Sequence, residues 1–204
     1  MLFRSTYTSL LFTGSIASND YYNYYCLTIN ANNNDTYLNF MEFYITGKQV
    51  YSTTNNIIIA NGGGDGDCYY FENIDRRYPS KQWTSKTTEV STTFNGTLSS
   101  NVNITLDTSG ITYGSGVYNI YYSSALYALD DIKNPYTFFD FDDTIGTVGG
   151  HFASMYNAST GAYAGTRYLV DVNYKGEWAV IKFPLNIIPT SYSILQRKIG
   201  RAHV

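Results

Sequence analysis

The run EWAVIKF at residues 177–183 alternates in the way an extended strand requires. Trp178, Val180 and Lys182 fall on one face of such a strand, and Ala179, Ile181 and Phe183 on the other. Pro184 and Pro189 predict a short turn that keeps Leu185, Ile187 and Ile188 close to that strand, and residues 190–195 predict a second strand. With 22 Tyr, 11 Phe and 17 Gly, and only 14% charged residues, the rest of the chain agrees. Such usage favours twisted sheets joined by Gly- and Asn-rich loops, and the long Ala/Leu/Glu/Lys runs of a helical protein are missing. The expected class is all-β.

Charge excludes some partners. The formal net charge is -3, and no basic cluster exceeds the pair Arg76 and Arg77, so no nucleic-acid groove is expected. No apolar run is long enough to span a bilayer, so no membrane insertion is expected. Tyr-, Asn- and Thr-rich usage, with glycosylation-type triplets at Asn34, Asn95, Asn103 and Asn157, points to an extracellular or virion surface. Cys26 and Cys68 read as unpaired thiols, with a disulfide as the alternative in an oxidising compartment.

Along the chain, residues 21–31 (YYNYYCLTINA) alternate so that Tyr25, Leu27 and Ile29 share a face. An Asn-rich turn at 32–36 and a strand at 37–45 follow, with Met41, Phe43 and Ile45 on one face and Gly47 ending the strand; the pair predicts a β-hairpin. The segment NGGGDGDC at 61–68 reads as a connector, since Asp65 and Asp67 are too few acids for a calcium loop. Residues 112–124 read as a Gly turn feeding a strand.

Enzymatic constellations are thin. Glu177 beside Trp178 is open to two readings: a buried glycosidase-type acid with a partner among Asp140, Asp142 and Asp143, or a hydrogen-bond acceptor at a strand start. The second is preferred, and no catalytic residues are assigned. His151 follows Gly149 and Gly150 with no acid or thiol array beside it. No nucleophile elbow, P-loop or dinucleotide-binding turn occurs.

Several motifs in order resemble the discoidin-like domains, also called coagulation factor 5/8 type C domains, a galactose-binding-like family. Gly176, Glu177, Trp178 and Ile181 match the family's Gly-Glu-Trp-Leu-Gln-Ile element, with Ala179 and Val180 at the Leu and Gln positions. Phe139 and Asp140 match an Ala-Phe-Asp loop, with Phe138 at the small position, and Phe152-Ala153-Ser154 is similar to Trp-x-Ser. Residues 113–118 (YGSGVY) resemble a Tyr-Gly-x-Gly-x-Tyr entry, and Glu42 and Gly47 resemble a closing hairpin.

The resemblance implies an antiparallel β-sandwich of jelly-roll type, here incomplete. Residues 1–48 would be the end of one domain, 49–76 a connector, and 77–198 the start of a second. Residues 199–204 (IGRAHV) are similar to a translated sequencing adapter and are set aside as a non-native tail. The first hairpin is expected to dock where the second domain lacks strands, bringing Leu38 or Phe43 near Trp178. Trp178, Phe139, Ile181 and Phe183 are expected to be structural. The family's structural calcium would fall on Asp140 and Asp142, a solvated acidic loop being the alternative reading; no other cofactor is expected.

By the same analogy ligand-binding loops would lie at 122–129, 139–152 and 156–163, offering Tyr127, Tyr136, His151, Tyr156, Asn157 and Tyr163. The implied function is a non-catalytic module binding a glycan or a surface receptor, alongside other domains of a longer extracellular, tail or fibre protein. The alternatives are a structural spacer and an accessory domain of an enzyme.

Overall fold

The computed structural model describes residues 11–17, 20–31, 42–53, 68–71, 74–83, 85–86, 90–94, 97–106, 113–125, 135–141, 152, 155–169 and 172–195. These form an all-β, antiparallel structure. Its strands are β1 (Leu11–Ser15), β2 (Tyr22–Ile29), β3 (Glu42–Thr53), β4 (Cys68–Phe71), β5 (Arg76–Tyr78), β6 (Ser85–Lys86), β7 (Val90–Phe94), β8 (Thr97–Leu106), β9 (Gly116–Tyr122) and β10 (Glu177–Leu195), with one 3-10 turn at Pro135–Phe139. All ten strands belong to one hydrogen-bonded sheet.

β10 organises that sheet. Its first half lies between β2 and β9, and β9 continues outward to β8; its second half pairs with β1 and β3. The turn expected at Pro184 and Pro189 is replaced by continuous strand with two irregularities, at Lys182/Ile187 against β2 and at Pro189/Ser191 against β3. The physical reason is the bulge. An extra residue accommodates a proline that cannot donate to the ladder, and it shifts which side chains face inward. Ile181, Phe183 and Ile187 line the core before the second bulge; Tyr192 and Ile194 pack on it afterwards.

The predicted hairpin also takes another form. Among the described residues β2 and β3 do not pair with each other; each pairs with a different half of β10. Phe43 lies opposite Ile194 and joins the main core, whereas Trp178 belongs to a separate cluster, so the expected contact between them does not form. Leu38 lies outside the described residues. Gly47 sits inside β3 rather than ending it, because a Cβ there would come within 2.5 Å of the Ile188 carbonyl oxygen.

Two apolar clusters lie on opposite faces of β10, as its alternation requires. Ala179, Ile181 and Phe183 enter a large core with Tyr25, Ile104, Leu106, Tyr118, Ile120, Tyr122 and Phe43. Phe138, Phe139 and Phe152 close that core, with Phe138 and Phe152 centroids 5.2 Å apart. On the other face Trp178 and Val180 pack under Leu169, with Tyr121 at the margin. The arrangement is sandwich-like: β10 carries a large core on one face and a smaller cluster on the other.

Candidate functional site

Glu177 is fully buried, and its surroundings decide between its two readings. Oε2 accepts from the hydroxyls of Ser123 and Ser124, and Oε1 pairs with Arg167 Nη1 at 2.9 Å. Ser123 Oγ also accepts from the Trp178 amide at 3.0 Å. A buried carboxylate needs this many donors to offset its lost hydration. Glu177 is therefore an acceptor that ties β10 to the end of β9 and to residue 167. Gly176 just before it is explained too, since a Cβ there would run into the Ile29 carbonyl.

Two of the expected ligand-binding residues, Tyr156 and Tyr163, come together beside Glu177, facing inward. Tyr156 is buried, and its hydroxyl donates to the Ile29 carbonyl at 2.8 Å. Burial pushes its phenol well above the ordinary value. Tyr163 stacks edge-on against Tyr156 at 5.2 Å, and its hydroxyl accepts from the Arg167 amide at 3.3 Å. Asn157 is exposed, yet its Oδ1 accepts from the amides of Ser159 and Thr160 at 2.8 and 3.0 Å, closing its own turn. Tyr136 is buried in the main core, away from this group. Tyr127, His151 and Asp142 lie outside the described residues.

Asp140 is half-buried just after the 3-10 turn. The next residue, Phe141, holds a left-handed backbone at φ 59°, a strained choice for a bulky side chain. Its amide donates to the buried Glu42 carboxylate at 3.1 Å, and the Arg77 guanidinium lies 3.5 Å from its ring centroid. Among the described residues no three His, Cys, Asp or Glu side chains group together.

Besides exposed Tyr168 and Tyr174 near Glu177, exposed rings lie on the outer face of the sheet. Cross-strand register puts Tyr24 opposite Lys182, Lys182 opposite Asn119, and Asn119 opposite Asn103. Tyr22 is two residues from Tyr24 on the same face, and Tyr121 is two residues from Asn119. Tyr22 and Tyr24 are 46% and 42% exposed, whereas Tyr25 between β2 and the core is 8%. The Lys182 ammonium stands 5.1 Å from the Tyr24 ring centroid. Hydrogen bonding to Tyr24 raises its pKa, so Lys182 is a cation at any physiological pH. Asn119 donates its amide to Asn103 Oδ1. Burial raises the Tyr121 phenol, so it too stays neutral. Cys26, on the same strand face as Tyr24, is an exposed free thiol.

This open end offers flat aromatic surface, amides and one ammonium on a rigid sheet. Those groups bind by stacking and hydrogen bonding. Sequence reasoning missed it because it comes from four strands drawn from distant segments; the signal was the alternation of Tyr24 with Tyr25 and of Lys182 with Ile181. No family model, curated protein or solved structure matches this chain significantly.

Proposed function

We propose that this chain is a non-catalytic binding module, built as a discoidin-like antiparallel sandwich, that engages carbohydrate on an extracellular or virion surface. The carrying observation is the open outer face, where exposed Tyr22 and Tyr24 lie beside Lys182, Asn119 and Asn103. An exposed tyrosine ring stacks on the apolar side of a pyranose while neighbouring amides and an ammonium exchange hydrogen bonds with its hydroxyls. Weak individual sites of this sort gain strength when a longer tail or fibre protein repeats them.

A structural spacer is the second reading, favoured by the inward rings of Tyr136 and Tyr156 and by the self-closed Asn157 turn. A glycan array probed with the purified chain separates the two. The binding reading expects a restricted set of positive sugars and their loss in Tyr24→Ala; a flat response across the array would leave the spacer.

A further inference from the structure

Lys182 is unusual on its face. Tyr24, Cys26, Thr28, Val117, Asn119, Tyr121, Asn103 and Thr105 around it are uncharged, and at the margin the exposed Asp20 carboxylate accepts from the Tyr22 hydroxyl at 3.3 Å. Among the described residues no carboxylate pairs with its ammonium, which stands 5.1 Å from the Tyr24 ring centroid. Glu177, five residues earlier on the same strand, has Arg167 and two serines. The buried acid is thus neutralised locally, while Lys182 points outward among hydrogen-bonding amides and exposed rings.

We propose that this face selects an acidic glycan, a sugar ring carrying one carboxylate or sulfate, with Lys182 as the partner of that anion. The inference rests on the binding reading above. Tyr24 supplies the stacking surface. The Asn119 carboxamide oxygen accepts a sugar hydroxyl while its nitrogen is held by Asn103. Lys182 sits between them in the register, one strand from each. A charge-assisted hydrogen bond is roughly twice as strong as a neutral one, which is how a single ammonium discriminates.

The test is titration calorimetry with trigalacturonate, its methyl ester and a sulfated galactotriose. The ester keeps the rings and removes the charge. The acid is expected to bind about tenfold tighter than the ester, the worth of one charge-assisted bond. In Lys182→Met the acid's preference over the ester should vanish, whatever binding remains being equal for the two, and in Tyr24→Ala both should weaken. Raising salt from 0.1 to 1 M, which shortens screening from about 10 to about 3 Å, should erode the acid's advantage alone. Preference for the sulfated sugar over trigalacturonate, lost in Lys182→Met, would support the anion and choose its source. Equal binding of acid and ester, with both lost in Tyr24→Ala, would overturn the charge selection and leave the binding face standing. No binding of any of the three, or an acid preference surviving in Lys182→Met, would overturn the proposal.

Discussion

The outer face of the sheet has two ends, and the same strand supplies both. At one, Trp178 and Val180 are closed off by Leu169, and Glu177 beside them is saturated by Ser123, Ser124 and Arg167. At the other, four residues along, half-buried Lys182 stands beside exposed Tyr24. The difference teaches that strand alternation says which side chains share a face and is silent on what covers them. The cover comes from residues 155–169, which are joined to the sheet at Ala31 and Ala162 and by the Gly176 amide donating to the Arg167 carbonyl at 2.9 Å.

The covered end should break the molecule hardest. Trp178→Ala removes a fully buried indole and should cost about 3–5 kcal/mol, read as the shift in a urea midpoint. A loss below about 1 kcal/mol would mean Leu169 does not seal that end. Glu177→Ala comes next at about 2–3 kcal/mol, since it strands two hydroxyls and a guanidinium that lost water to reach it. The conservative Glu177→Gln should recover part of that loss by keeping an acceptor for the serines. Equal losses in the two variants would place the energy in the charge pair with Arg167 alone.

Alkali tests the sealed inner face against the solvated outer one. Burial raises the phenols of Tyr25 and Tyr118 above their usual value of 10.0, so the folded state holds those protons more tightly than the unfolded chain. A raised folded pKa means this stability is complete below pH 10.0 and is lost as pH climbs beyond it. One pH unit above, Tyr118 alone should account for about 1 kcal/mol. Phenolate absorbance should therefore include a step that appears only as the sheet unfolds. A single smooth titration would contradict the packing of the inner face.

How much was legible beforehand follows the same division. The alternation of Trp178, Val180 and Lys182 against Ala179, Ile181 and Phe183 was readable, because a strand's period is local. So was the shared face of Tyr25, Leu27 and Ile29. The bulge at Pro189/Ser191 was not, since whether a proline ends a strand or bends it depends on the partner's capacity to absorb one extra residue. Nor was the pairing of β2 and β3 with β10 in place of each other, for local turn chemistry favours a hairpin and only long-range burial overrides it. The fates of Tyr156 and Tyr163 hinged on Ile29, Arg167 and Glu177, contributed by three separate segments.

The smallest effect on stability is the one that sharpens the comparison most. Tyr24→Ala combined with Lys182→Met takes away an exposed ring and an exposed ammonium, and surface changes of this kind usually stay within about 0.5 kcal/mol of neutral. Their mutual contact is solvated and cannot be worth more than about 1 kcal/mol. The melting temperature should therefore barely move, while any affinity for sugar at this face should fall. Were the double variant instead to lose several degrees, the Tyr24 end would be covered in solution as the Trp178 end is. The two ends would then differ only in what covers them, and the open face would have to be reassigned as an interface.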